Sequence, residues 1–294
     1  MKKFDGKKGF DIKKNFNRTE KFDRPKRFEK SEKSVNKEEN GFRRNDEEAP
    51  ENVLEGRNPI REAIKAGRSI EKLLVAQGEI QGPVTEIVYD ARANGAVIQE
   101  VERTRLDKIS YTGSHQGLIA YVAMKEYCEV EDILSYAKEK GEDPFVLILD
   151  GICDPQNLGA MIRCAECAGV HGVIIPKRRA SGLTPVVAKC SAGAIEYMRI
   201  ARVSNISQTI EKLKKAGVWV YGASMEGRNY SRVNLTGPAA LVIGAEGEGI
   251  SPLVKKNCDC LVSIPQVGKI DSLNASVAAG ILMYDVLRQR NEKK

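Results

Sequence analysis

Three segments of the 294-residue chain put glycines and polar groups where strands should end. The first is Asp150-Gly-Ile-Cys-Asp-Pro-Gln-Asn157, continuing as Leu158-Gly-Ala-Met-Ile-Arg163. The second is Gly244-Ala-Glu246-Gly-Glu-Gly249-Ile-Ser251-Pro252, and the third is Ile264-Pro-Gln-Val-Gly268-Lys-Ile-Asp-Ser272-Leu-Asn274-Ala-Ser276. Together they offer amides, hydroxyls, carboxylates and one guanidinium, groups suited to holding a ligand and moving a proton. In an open α/β sheet, ligands bind beyond the carboxyl ends of the strands, so three such loops describe one candidate pocket. The spacing puts Asn157 at the N-cap of the helix it precedes and Arg163 in that helix's second turn.

Other chemistries are poorly supplied. The chain has no Walker-type phosphate loop, no zinc-protease helix and no Gly-x-Ser-x-Gly elbow, and its only histidines are His115 and His171. A phosphate cradle offers backbone N–H groups and avoids carboxylates, whereas the second loop carries Glu246 and Glu248 and does not satisfy Gly-x-Gly-x-x-Gly. A ligand without phosphate fits it better. S-adenosylmethionine is one, a sulfonium cation whose adenine can be held by main-chain groups; the same residues would also make an ordinary turn.

The elements that must position these loops alternate. Phe145-Val-Leu-Ile-Leu149 is a continuous apolar run suited to a strand buried on both faces, and similar runs occupy Gly172 to Ile175, Val218 to Tyr221, Ala239 to Ile243 and Cys260 to Ile264. Helical patterns lie between them at Leu158 to Ala168, Pro185 to Cys190, Ile206 to Ala216 and Asn274 to Arg290, as in a parallel α/β domain over 144–294. Residues 51–125 read as a smaller α/β unit. There Arg57-Asn58-Pro59-Ile60 precedes an amphipathic run to Ala66, a helix covers Val84 to Asn94, and strands cover Lys72 to Ala76, Val97 to Val101 and Leu118 to Val122. Residues 126–143 read as a charged, helix-bearing linker.

Residues 1–50 have almost no Leu, Ile or Val and read as a disordered tail. The net charge of +7 comes from there: residues 1–44 hold 16 Lys and Arg against 8 Asp and Glu, and the remainder is close to neutral. Phe4, Phe10, Phe16, Phe22 and Phe28 recur every six residues among these cations, a spacing that serves either stacking on exposed bases with charge along a phosphate backbone or a solubilising linker. No run of about 18 apolar residues and no apolar leader is present, so the expected compartment is the cytoplasm, with no membrane partner. Seven cysteines, an odd number in a core-rich chain, read as reduced thiols. Cys164 and Cys167, with Cys258 and Cys260, have metal-like spacing but lack a finger-like loop, and buried core thiols with no metal are the expectation.

In this order, the three segments resemble the signature motifs of the SpoU (TrmH-like) branch of the SPOUT RNA methyltransferases, most nearly the bacterial 23S ribosomal RNA guanosine-2'-O-methyltransferases. The resemblance covers residues 145 to 290. Residues 52 to 123, with Arg57-Asn-Pro-Ile60 and His115-Gln-Gly-Leu118, look like the substrate-binding module that often precedes that domain, similar to ribosomal-protein-like RNA binders. It implies a parallel sheet whose C-terminal part forms a trefoil knot, a topology that general connection rules disfavour. It implies a homodimer with its site at the subunit interface. It also implies S-adenosylmethionine held by Gly244, Ile264, Leu273, Ser272 and Asn274, and an active centre of Asn157, Arg163, Glu246 and Ser276. The implied activity is methyl transfer to a ribose 2'-hydroxyl of 23S ribosomal RNA. Arg163 stays protonated at neutral pH, so its expected part is to bind the adjacent phosphate and stabilise charge growing on the 2'-oxygen, with Glu246 orienting that oxygen or accepting its proton. Without the resemblance, Arg163 reads as an exposed helix residue and Glu246 as a turn carboxylate. The alternatives are the same chemistry on transfer RNA and an RNA-binding protein without catalysis. A nucleotide-dependent oxidoreductase would need a phosphate fingerprint that is absent.

Overall fold

Consecutive apolar residues can be buried on both faces of a sheet only if helices cover both, and this governs the C-terminal part of the chain. The computed structural model describes residues 49–270 and 272–293; the expected Phe-repeat tail lies outside the described residues. Strands β1 (Val53–Glu55), β2 (Ile70–Ala76), β3 (Val97–Val101) and β4 (Leu118–Val122) alternate with helices α1 (Arg57–Lys65), α2 (Pro83–Ala93) and α3 (Arg103–Ile109). After α4 (Val130–Glu139) come β5 (Phe145–Asp150), α5 (Pro155–Cys167), β6 (Gly172–Pro176), α6 (Pro185–Cys190), β7 (Ile200–Val203) and α7 (Ile206–Lys215). The chain closes with β8 (Trp219–Asn229), β9 (Ala239–Gly244), α8 (Pro252–Asn257), β10 (Cys260–Ser263) and α9 (Ala275–Lys293).

The larger sheet has six strands in the order β10-β8-β9-β5-β6-β7, every pair parallel. Along β5, Phe145, Leu147 and Leu149 face one core with Leu158, Met161 and Ile162 of α5 and Leu282 and Met283 of α9. Val146 and Ile148 face the other, with Ile133 of α4, Ile210 and Leu213 of α7 and Val254 of α8. Each such fully buried side chain contributes about 1.5–3 kcal/mol. Helix α4, inside the segment expected to be a linker, thus covers a sheet face, and Gly172 is the close-approach point, since a Cβ there would lie 2.5 Å from Ile133.

The smaller sheet runs β1-β4-β2-β3, with β2 parallel to β3 and the other pairs antiparallel. Its Leu54, Ile60 and Ala63 share the first core with Phe145 and Leu158, so the two sheets are fused through one apolar cluster. Polar ties reinforce the fusion. Lys189 of α6 donates to Thr112 Oγ1 (3.1 Å) and Ser114 O (2.6 Å), and Arg68 pairs with Glu196 at 2.8 Å with both side chains nearly buried. The fully buried Glu55 carboxylate accepts from Ser110 Oγ, Tyr111 N, Thr112 N and Thr112 Oγ1, which satisfies it.

Several expectations shift. Arg57 to Ile60 lie inside α1, not before it, with Gly56 (φ +94°) at the cap. β1, α3, β7 and α8 were not foreseen, and β8 runs eight residues beyond Tyr221 to Asn229. Of the cysteines expected as core thiols, Cys164, Cys258 and Cys260 pack half-buried against the two cores, and only Cys167 departs from the expectation by being exposed.

Candidate functional site

Helix α5 starts one turn earlier than its apolar pattern suggests. Asp154 is the N-cap, accepting from Gln156 N and Asn157 N (3.1 Å each), and Pro155 sits in the first turn, where its missing N–H costs nothing. Asn157 is therefore a first-turn residue, not the cap, and Arg163 falls in the third turn, not the second. Freed from capping, the Asn157 amide reaches across the sheet edge: Nδ2 donates to Glu246 Oε1 at 2.9 Å.

The two loops meet for a topological reason. β5 continues through α5 to β6 on one side, whereas β9 continues through α8 to β10 on the other, so neighbouring strands diverge and open a crevice at their carboxyl ends. Asp150 and Gly244 are register partners at that end. Gly244 cannot be replaced without moving the loop, because a Cβ would lie 2.0 Å from the Gly249 carbonyl carbon. The loop folds back on itself through Gly249 N to Ala245 O (2.8 Å), and Ser251 N donates to Asp150 Oδ2 (2.8 Å), tying it to β5.

The third loop returns from β10, at the sheet edge, to the centre. Asn274 Nδ2 donates to Glu246 Oε1 (2.6 Å) and Asn157 Oδ1 (2.9 Å), while Asn274 Oδ1 accepts from Ser276 N (2.9 Å), Val277 N (3.2 Å) and Ser276 Oγ (2.6 Å), capping α9. Ala275 N adds a third donor to Glu246 Oε1 at 3.3 Å. Asn157, Glu246, Asn274 and Ser276 are thus one hydrogen-bonded cluster. Arg163 is exposed and, among the described residues, its side chain makes no hydrogen bond or ion pair. Ile264 packs partly buried against the first core, Leu273 is half-exposed, and Ser272 is exposed outside the cluster. Sequence reasoning missed Asp150 and Asp154 as anchors; the Asp154-Pro155 pair was the available signal for the cap.

The donor set suits an adenosyl sulfonium. Glu246, Glu248 and Asp154 are exposed carboxylates around the crevice, and Val267, Ile270 and Leu273 expose apolar surface on the third loop, the pairing that a cationic group and an aromatic ring require. Imidazole chemistry is not offered here. Burial pushes the thiols of Cys128, Cys164, Cys167, Cys190 and Cys258 up, the last to about 11, which keeps them protonated. Both histidines are structural: His115 Nδ1 accepts from Gly117 N with Nε2 on Asp107, and His171 Nδ1 accepts from Phe145 N with Nε2 on Glu142. Among the described residues no group of three or more His, Cys, Asp or Glu is arranged to hold a metal ion, and no helix is long and apolar enough to cross a membrane.

Comparison with known proteins gives matches over both sheets. Residues 144–284 match the SpoU rRNA Methylase family, and residues 53–128 match the family described as RNA 2'-O ribose methyltransferase substrate binding. YacO of Bacillus subtilis (strain 168), assigned to the TrmH family of tRNA/rRNA methyltransferases, is 48% identical over 238 residues, 80% of this chain and 95% of that protein. Among solved structures, the SpoU methyltransferase AviRb of Streptomyces viridochromogenes in complex with AdoMet superposes with a TM-score of 0.71 at 26% identity, covering 81% of this chain and 90% of that one. An AdoMet-bound rRNA methyltransferase from Sinorhizobium meliloti gives 0.67 at 25% identity, over 80% and 86%.

Proposed function

The chain belongs to the SpoU (TrmH) family of S-adenosylmethionine-dependent RNA 2'-O-ribose methyltransferases, and from that premise we propose that it methylates a guanosine ribose of 23S ribosomal RNA in the cytoplasm. The observation that carries the reading is the Asn157–Glu246–Asn274 cluster, which clasps three sequence-distant loops around the crevice between β5 and β9.

Gly244, Ile264, Ser272, Leu273 and Asn274 would hold the cofactor, which supplies the methyl group when bound. Glu246 has one carboxylate oxygen committed to three donors and the other left to orient the 2'-hydroxyl or take its proton. Arg163, exposed and unpaired, binds the neighbouring phosphate and stabilises charge developing on the 2'-oxygen. Asn157 and Ser276 keep Glu246 and the start of α9 in place, so that proximity supplies much of the rate.

Residues 51–125 act as the substrate-binding domain, joined through 126–143 to a methyltransferase domain over 144–294. The return from edge strand β10 to α9, packed on α5, supports a knotted path. A second copy of the chain completes the site. Supporting this, Leu273, Val277 and Tyr284 expose a helical-spaced apolar row beside the cluster. Mapping 2'-O-methyl riboses in cells lacking the protein tests the substrate: one guanosine of 23S ribosomal RNA should lose its mark. Loss confined to transfer RNA would reassign it.

A further inference from the structure

The loop leaving β6 carries three consecutive exposed cations, Lys177, Arg178 and Arg179. Among the described residues none of their side chains enters a hydrogen bond or ion pair. Arg103 pairs with Glu79, and Arg288 with Asp285 and Glu292, while Lys72, Arg92 and Lys108 have no acid partner among the described residues; Lys177 to Arg179 differ from these single cations in being consecutive. Adjacent like charges repel one another, and an unneutralised run of them is complementary to a polyanion.

Its position gives that charge a use. β6 pairs in parallel with β5, so the loops leaving Pro176 and Asp150 open on the same rim, about one strand spacing apart. Two backbone bonds fix the cationic loop there, from Lys177 N to Val203 O at the end of β7 (2.8 Å) and from Ser181 N to Ile152 O in the first site loop (3.0 Å). Arg179 has φ +57°, a left-handed conformation that a side chain tolerates only where the surroundings hold it. Two residues past Ser181, Leu183 N donates to Glu51 Oε1 (3.1 Å), which also accepts from the Tyr127 hydroxyl (3.0 Å) at the boundary with the smaller sheet. The cations therefore lie between the substrate-binding module and the crevice. Around the crevice the site loops carry Asp150, Asp154, Glu246 and Glu248, carboxylates that repel an RNA backbone, beside single cations at Arg163 and Lys269.

We propose that Lys177, Arg178 and Arg179 form a phosphate clamp that holds the RNA backbone where it passes from the smaller sheet to the methyl-transfer crevice. The proposal rests on RNA being the substrate. The two guanidinium groups supply forked donors and Lys177 a point charge, so the clamp positions the strand without reading its bases.

The test uses the full chain and a transcript of unmodified 23S ribosomal RNA; binding is read with no methyl donor present, and turnover in a separate assay with the donor added. A Lys177→Gln/Arg178→Gln/Arg179→Gln variant should flatten the slope of log affinity against log salt by about two to three. Its KM for RNA should rise about tenfold or more, with kcat at saturating RNA within about twofold and the calorimetric affinity for S-adenosylmethionine unchanged. Arg178→Glu alone should move the slope in the same direction, which guards against misfolding of the triple variant. Lys138→Gln/Lys215→Gln, on helices that feed the opposite rim, should leave it as it was. An unchanged slope in the triple variant, equal flattening in the control, or no salt-dependent binding by the unaltered protein overturns the clamp. Because binding is read without the donor, a flattened slope in a protein that transfers no methyl group would retain the clamp and reject the proposed activity.

Discussion

Glu246 Oε1 takes donors from Asn157, Asn274 and the Ala275 backbone, one partner from the first segment and two from the third. Glu246 and Asn274 are exposed and Asn157 is half-buried, so water replaces most of the lost bonds at small cost. Glu246→Ala should lower stability by only about 0.5–1.5 kcal/mol, yet release the loops and cut methyl transfer by about 100-fold or more. Thermal melts beside transfer assays check this, and equal losses in both would mean a structural role alone. Arg163→Ala should abolish transfer while calorimetry shows donor binding retained; unchanged turnover would remove Arg163 from the chemistry. That the three segments share one pocket was legible from their glycines and turn residues at strand ends, whereas singling out Asn157, Glu246, Asn274 and Ser276 within them rested on the family resemblance. The cap was misread because the helix was counted from Leu158, its first apolar residue, whereas Asp154 with Pro155 behind it is the stronger start signal.

At the scale of elements, α5 is set by what Gly159 permits. A Cβ there would lie 2.5 Å from Cys190 Cβ and 2.8 Å from Val187 O, so α5 and α6 touch at this point. Gly159→Ala should destabilise by about 1–3 kcal/mol in denaturant titration although alanine favours helix by about 1 kcal/mol; a more stable variant would show that the contact relaxes. His171 ties the start of β5 to the α4–β5 loop, and burial lowers its pKa despite the opposing Glu142 carboxylate. Its folded-state pKa lies below the unfolded value, so the stability it adds is present above about pH 6.5 and is lost as pH falls through the folded value. His171→Asn should therefore differ most from the unaltered protein near neutrality, with the gap closing toward pH 5; a gap that widens on acidification would contradict the assignment. Strands β5, β6 and β9 were legible as unbroken apolar runs. β1 has three residues, α8 six, and α3 a single buried residue, Leu106, so none carries enough periodicity to be seen. The end of β8 is polar and pairs with β10 only after a register break at Leu261/Val262.

Across the whole molecule, the two sheets share a core that the sequence reading had divided between separate modules. Apolar patterning shows which face of an element is buried, not which neighbour covers it, so Leu54 and Ile60 meeting the cluster of Phe145 could not be read from spacing. Arg68 bonds Glu196, Ala123 O and Glu51 O across this junction, with side chains only 9% and 2% exposed in the Arg68–Glu196 pair. Arg68→Met should cost about 3–5 kcal/mol by stranding the Glu196 charge, and equilibrium unfolding that loses less than about 1 kcal/mol would mean that water reaches it. Under the proposed clamp, RNA would cross this same junction from the smaller sheet to the crevice. The most direct measurement incubates the purified protein with methyl-labelled S-adenosylmethionine and unmodified ribosomal RNA, then digests the RNA to nucleosides. The label should appear on a ribose 2'-oxygen at one nucleotide, and disappear with Glu246→Ala. Label on a base, or no affinity for either the donor or its demethylated product, would contradict the account.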